Sequence, residues 1–359
     1  MVSSKLSQEK LKDALVHQSK TIEETLKSMD NEVAVITDDA GRMCGLVTDG
    51  DIRRAFLSGA TMKTPVGEIM TRHPFAINDT EELTPGEIMA IMLERQIRHL
   101  PVIDTEGFPV GLELLRDQYG EDGLVPAVIM AGGKGTRLYP LTADTPKPLL
   151  KVGDQAIIDN VVSGLHSCGV KNIAVSVNYL GEQIKQHFAD QQQKKLNIEF
   201  LEEKEALGTA GALTLLEPRP DRAFLVMNAD LLTDIDYQSL VRFHRDGRYD
   251  FSVCVRKVEE PIPFGVVTLS DSKMVSGIQE KPVHSYLINA GIYMIEPHVI
   301  DLIPPNRYFD MVSLIKTALA NNCKVGAFPI YEYWRDIGRH QEIAQADQEW
   351  QQRQHSTLK

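Results

Sequence analysis

Downstream of residue 124 the chain alternates short apolar runs with amphipathic stretches at helical spacing. The run at 125–130, Val-Pro-Ala-Val-Ile-Met, is bounded by polar segments and predicts a buried strand. Further strands are predicted at 172–177, 197–201, 223–227, 251–255 and 287–295. Helices are predicted between them at 157–166, 182–188 and 237–244. This alternation predicts an α/β domain on a mostly parallel sheet over residues 125–359. Ligands of such sheets bind beyond the carboxyl ends of the strands.

The first third has a different rhythm, one unit written twice. A helix at 22–29 leads through Glu32-Val-Ala-Val-Ile36 and Gly45-Leu-Val-Thr-Asp-Gly-Asp51 to a basic helix at 52–57. The second copy runs from a helix at 84–94 through Arg98-His-Leu-Pro-Val-Ile103 to Gly111-Leu-Glu-Leu-Leu-Arg-Asp117. A repeat of this size buries its apolar face against its twin. The pair, repeats of about 14–62 and 63–118 within a domain 1–120, resembles a tandem of cystathionine-β-synthase (CBS) domains, an α+β module. That resemblance implies a cleft for AMP, ADP or ATP and homo-oligomers formed through CBS pairs. Asp51 suits ribose hydroxyls, Thr48 can donate to phosphate, and Arg53 with Arg54 can neutralise it. The second copy keeps Asp117, but Leu114 replaces the threonine. A dimerisation module without ligand is the alternative.

The strongest chemical signal follows the first predicted strand of the larger domain. It reads Ala131-Gly-Gly-Lys-Gly-Thr-Arg-Leu-Tyr-Pro-Leu-Thr142, then Pro146-Lys-Pro-Leu149. Gly132, Gly133 and Gly135 let the backbone turn tightly and bring N–H groups, with Ala131 and Thr136, close to an anion. Arg137 adds a planar cation and Lys147 a point charge. Neither the P-loop ending nor the dinucleotide spacing is present. The whole pattern is similar to the signature of the sugar-1-phosphate nucleotidylyltransferases, GGxGTRLxPLTxxxPKPL, at every fixed position. The resemblance implies a Rossmann-like, GT-A-like fold and transfer of a nucleotidyl group from an NTP to a sugar 1-phosphate, with pyrophosphate released.

The same resemblance gives roles to residues that alone would be unremarkable. Asp230 closes the predicted strand at 223–227, and Asp336 lies in Trp334-Arg-Asp-Ile-Gly338. Both match the family's metal-binding aspartates, and carboxylates suit Mg²⁺. Glu280 and Lys281 match residues for the sugar hydroxyls and sugar phosphate; Asn289 and Gly291 match the strand that approaches the sugar. Catalytic roles fall to Arg137, Lys147, Asp230 and Lys281. Gly208 and Thr209 belong to a loop resembling the one that meets the nucleotide base. Glu202 and Glu203 stand just before it. A carboxylate accepts only, and guanine offers two adjacent donors, so a glutamate here, Glu202 or Glu203, favours GTP.

Composition narrows the partners. The net charge is −12 at pH 7, and no basic stripe is visible, which argues against nucleic acid. Residues 1–122 hold 13 Lys and Arg against 22 Asp and Glu, a net of −9; the remainder holds 25 against 28, a net of −3. A polar, glycine-containing stretch, Asp117-Gln-Tyr-Gly-Glu-Asp-Gly123, marks the boundary. Cys44, Cys168, Cys254 and Cys323 show no metal-ligand spacing and read as small core residues of a reducing cytoplasm. No apolar run approaches membrane-spanning length. A CBS pair ahead of a short transferase resembles bacterial guanylyltransferases of surface-glycan and nonulosonic (legionaminic-type) acid pathways. That architecture favours glucosamine or N-acetylglucosamine 1-phosphate. Alternatives are mannose 1-phosphate with GTP, or glucose 1-phosphate with UTP or dTTP. A non-catalytic, nucleotide-sensing regulatory subunit is a further alternative, although such subunits commonly lose the cations or carboxylates kept here.

Overall fold

A computed structural model of the chain describes residues 2–5, 8–29, 32–116, 124–189 and 196–357. It divides into two compact units, residues 1–120 and 121–359.

In the first unit two four-stranded sheets are each built on three strands of one repeat, the fourth being Thr71–Arg72 from the second repeat in one sheet and the preceding Val2–Lys5 in the other. One sheet has the order Leu15–His17, Val33–Thr37, Met43–Thr48, Thr71–Arg72. The other runs Val2–Lys5, Pro109–Arg116, His99–Ile103, Ile77–Asn78. Leu112 and Leu114 of the second repeat pack with Val33, Val35 and Leu46 of the first. Neither repeat could close this core alone, which is the physical reason for the duplication. The helices Ile22–Leu26 and Pro85–Glu94 open identically. Thr21 caps the Glu24 N–H while Glu24 returns to the Thr21 N–H, and Thr84 with Glu87 repeats the arrangement.

The second unit is built on seven strands in the order Asn197–Glu202, Asn172–Val177, Ala127–Met130, Phe224–Asn228, Val283–Ile295, Phe251–Pro261, Val325–Ile330. Six point the same way and Val283–Ile295 runs against them, so the sheet is mixed and mostly parallel. Phe224, Phe251 and Tyr293 anchor its core, with Val299, Met311 and Leu314 on the same cluster. The helices Ile157–Ser167, Gly181–Ala189 and Tyr237–Gly247 lie where the 3.6-residue spacing puts them. Beyond the expected elements are the strand Val325–Ile330, the helix Met311–Ala320 and an exposed hairpin, Val266–Leu269 with Val275–Gln279. Phe251–Pro261 also outruns the predicted 251–255, because beyond Arg256 it is mostly polar and pairs with the exposed start of Val283–Ile295 alone.

The cysteine expectation holds only for Cys254, which is buried; Cys44, Cys168 and Cys323 are half-buried free thiols. No described helix is long and apolar enough to cross a membrane.

Candidate active site

Ala127–Met130 lies in the middle of the sheet, hydrogen-bonded to parallel strands on both sides. Ala131 donates its N–H to the Ser176 carbonyl at 3.0 Å, and beyond it the chain leaves the ladder as the glycine loop. Gly135 has φ +60, and a Cβ there would lie 3.0 Å from Thr142 Cγ2 and 3.1 Å from Lys147 Cβ. Buried Thr142 closes the loop by donating its hydroxyl to the Gly135 carbonyl at 2.9 Å. Tyr179 holds the far side through the Ala143 carbonyl at 2.8 Å. The loop is therefore a fixed rim. It borders a cleft of ≈ 210 Å³ lined by Ala131, Gly133, Thr136, Arg137, Lys147 and Asp230, among others.

Two distant segments meet at this cleft through a short antiparallel ladder. Leu231–Thr233 pairs with Trp334–Asp336 so that Leu231 faces Asp336, and Ile337 donates its N–H to the Asp230 carbonyl at 3.0 Å. Asp230 and Asp336 thereby become neighbours. Lys147 is buried between them. Its ammonium pairs with Asp230 Oδ2 and lies 3.9 Å from Asp336 Oδ1. The Oδ1 atoms of both aspartates are buried and accept no hydrogen bond from the described residues. Burial pushes the Asp336 carboxyl above its usual range, Asp230 adds to the rise, and Lys147 with Arg137 opposes it. Arg137 is exposed at the mouth, with a guanidinium nitrogen 3.6 Å from where a Cβ on Gly338 would stand.

Orphaned carboxylate oxygens in one cleft are what a hard divalent ion requires, so these residues fit Mg²⁺. The ladder is buttressed from outside. Trp334 donates its indole N–H to the Ala290 carbonyl at 2.9 Å, and Arg335 grips Glu349 through two nitrogens at 3.1 and 2.6 Å. Glu342 accepts the Gly338 N–H at 2.7 Å. Trp334 lies within the motif that singled out Asp336; for Glu342 and Ser176 the sequence carries no comparable signal.

The two adjacent glutamates part company. Glu202 is exposed and paired with Lys185 at 2.6 Å. Glu203 turns inward, accepting from the Ser176 hydroxyl and, at 2.8 Å, from the Leu207 N–H. A Cβ on Gly132 would come within 2.5 Å of its Oε1, so a side chain there would have to displace the carboxylate where it meets the loop. Gly208 (φ +80) lies against the Phe309 carbonyl, and the Thr209 hydroxyl accepts the Met311 N–H at 2.9 Å. Both residues thus have packing duties in the described structure.

On the other side, Gly291 (φ +73) forms a bulge in Val283–Ile295, with its N–H on Asn289 Oδ1 at 3.0 Å. A Cβ there would lie 2.7 Å from Asn228 Nδ2, so the bulge abuts the strand end that carries Asp230. Glu280 and Lys281 occupy the exposed turn between Val275–Gln279 and Val283–Ile295. They are not drawn into the Asp230–Asp336 cluster.

In the first unit Thr48 and Asp51 cap the helix Asp49–Leu57, with the Thr48 N–H and hydroxyl on Asp51 Oδ2 at 2.8 and 2.6 Å. Arg53 is buried and paired with Asp49 at 2.6 Å, and the Arg54 guanidinium pairs with Asp51. The i,i+4 spacing turns Arg53 back toward Asp49 on the inner face of the helix. Asp117 lies outside the described residues.

The nucleotidyl transferase family matches residues 126–353, and the CBS domain family matches 12–58 and 66–112. Mannose-1-phosphate guanyltransferase of Yarrowia lipolytica is 36% identical over 219 residues, 59% of this chain and 60% of that protein. Mannose-1-phosphate guanylyltransferase catalytic subunit beta of Drosophila melanogaster is 34% identical over 220 residues, 59% of each. The chain thus spans about three fifths of the length of these curated relatives. The crystal structure of HddC from Yersinia pseudotuberculosis superposes with TM-score 0.51 at 25% identity, covering 63% of this chain and 100% of that one. With more than half of its length matched, the chain belongs to the nucleotidyl transferase family and carries a CBS pair ahead of the transferase segment.

Proposed function

We propose that the second unit transfers a nucleotidyl group from GTP to a sugar 1-phosphate. The observation that carries the reading is the Asp230–Asp336 pair, with its two orphaned oxygens beside the glycine loop, Lys147 and Arg137. Asp230 and Asp336 would hold Mg²⁺, which when bound supplies positive charge to the triphosphate. The loop at 131–136 cradles the phosphates with its backbone. Arg137, at the open mouth, steadies the departing β- and γ-phosphates. Lys147 holds the two carboxylates together and places its charge against the reacting phosphates.

A phosphate oxygen of the sugar 1-phosphate forms a bond to the α-phosphorus in line. The bond from that phosphorus to the bridging oxygen breaks, and pyrophosphate leaves with the electron pair. The attacking phosphate is already ionised, so no residue must remove a proton; positioning and charge do the catalysis. Glu203 would accept from the two donors of guanine, Asn289 and Gly291 would approach the sugar, and Glu280 with Lys281 would reach it from their exposed turn. The relatives' names support guanine and put mannose 1-phosphate ahead of glucosamine and N-acetylglucosamine 1-phosphate. In the first unit Thr48, Asp51 and Arg54 form the cleft for an adenine nucleotide that tunes activity.

The test is pyrophosphate release across a matrix of GTP, UTP, dTTP and ATP against mannose, glucosamine, N-acetylglucosamine and glucose 1-phosphates. GTP with mannose 1-phosphate should lead. Arg137→Ala and Asp230→Asn should each lower turnover by about 10²–10³-fold with an unchanged circular-dichroism spectrum. Turnover near wild type in both variants overturns the reaction; a different leading pair overturns only the substrate choice.

A further inference from the structure

At the opposite end of the sheet, where Phe251–Pro261 begins, Asp250, His298 and Cys323 come together from three separate segments. Their carboxylate, imidazole and thiol donor atoms all lie within 4.8 Å of one another. Phe251 pairs with Ile295, which pairs with Phe224, the residue at the start of the strand whose far end carries Asp230. The length of the sheet therefore separates this cluster from the glycine loop, and it takes no part in the chemistry proposed above.

Main-chain bonds hold the three segments in place. Asp250 donates its N–H to the Lys324 carbonyl and accepts the Glu296 N–H on its own carbonyl, both at 2.9 Å. Lys324 donates its N–H to Asp250 Oδ2 at 2.7 Å, which fixes the carboxylate plane and leaves Oδ1 facing His298 Nε2 at 3.2 Å. Cys323 is set by the end of the helix Met311–Ala320, with Asn322 at φ +57 and the Cys323 N–H on the Ala318 carbonyl at 3.0 Å. Lys324 is a neighbouring cation, and it is turned away: its ammonium bonds the Gly247 carbonyl at 2.6 Å and lies 5.1 Å from the centre of the Tyr249 ring. The cluster is thus preorganised, and Lys324 does not occupy it.

We infer that Asp250, His298 and Cys323 bind one borderline-soft divalent transition-metal ion, Zn²⁺ foremost. Oxygen, nitrogen and sulfur donors in a triad suit Zn²⁺, Co²⁺ and their neighbours, whereas Mg²⁺ takes oxygen alone. Metal–ligand bonds of about 2.0–2.3 Å place donors roughly 3.3–3.8 Å apart around a tetrahedral ion. Only a modest contraction is needed, and exposed His298 is free to make it. Carboxylate, thiolate and neutral imidazole then balance the ion's charge. The ion replaces the thiol proton, which is released. Bound there, it ties together the starts of two strands and the turn Pro297–Leu302, so its effect is on stability.

The full chain titrated with Co²⁺ in excess Mg²⁺ tests this. One equivalent should bind with a thiolate-to-cobalt charge-transfer band, in the wild type and equally in Asp230→Asn. Cys323→Ser should abolish the band, and His298→Ala should weaken Co²⁺ binding at least about tenfold, one metal ligand being worth that much or more. Zn²⁺ should raise the unfolding temperature of the wild type but not of Cys323→Ser. Both variants should match the wild type in unfolding temperature without metal, since each changes a surface or half-buried side chain. No thiolate band at saturating Co²⁺, or a band that survives Cys323→Ser, overturns the inference. Neither outcome bears on nucleotidyl transfer.

Discussion

Glu203 follows directly on the strand Asn197–Glu202, its carboxylate shared between Ser176, the Leu207 N–H and the edge of Gly132, while Glu202 beside it faces solvent and Lys185. Alternation along a strand sends neighbours to opposite faces, so only one of the two could meet a base. Glu203→Gln exchanges an acceptor for a donor, and should lower discrimination for GTP over UTP by about 1–3 kcal/mol, read as a ratio of kcat/KM values. Asp336 carries a different consequence. Its folded pKa is raised, so the ionised carboxylate costs the metal-free protein stability in full above that pKa, and the cost is relieved as pH falls from there to the unfolded value near 3.8. Asp336→Asn is expected to raise the unfolding temperature of the metal-free protein at pH 7 while removing turnover; a lower temperature would count against this electrostatic account. Gly291→Ala should destabilise by more than about 1 kcal/mol in urea unfolding, because φ +73 and Asn228 both oppose a Cβ.

Among the elements, the short helix Ile22–Leu26 shows how much its capping contributes. Lys20, then the Thr21 N–H and hydroxyl, hold the Glu24 carboxyl down to about 2. A carboxyl lowered by folding stabilises fully above its unfolded pKa, near 4.5, and loses that contribution as pH falls through about 2. Glu24→Gln should therefore lower the unfolding temperature of the first unit near neutrality, with the difference closing between pH 4.5 and 2. The ladder of Leu231–Thr233 with Trp334–Asp336 is the element that assembles the candidate site. Residue order does not reveal it, since three-residue strands carry too little periodicity to register. The hairpin Val266–Leu269 with Val275–Gln279 escaped for a related reason: its apolar residues Val267, Leu269, Val275 and Ile278 are exposed, so the pattern does not mark a core.

For the molecule as a whole, the two units imply separable controls. Removing divalent ions with a chelator should abolish turnover and Mg²⁺ should restore it. Adenine nucleotide should shift turnover through the first unit, and Asp51→Ala should erase that shift while leaving basal turnover intact; an unchanged response to AMP and ATP would refute the regulatory role. The alternation of strands and helices, the duplicated front unit and the glycine loop with Arg137 and Lys147 were readable from residue order. Local spacing sets local chemistry: a buried strand, three glycines and two cations lie within one short stretch of the chain. Residue order did not separate Glu203 from Glu202, give Gly208 and Thr209 their packing duties, or join Asp250 and His298 to Cys323. Those outcomes depend on strand order and register, which are set by the summed packing of distant segments and are written in no single stretch of the chain.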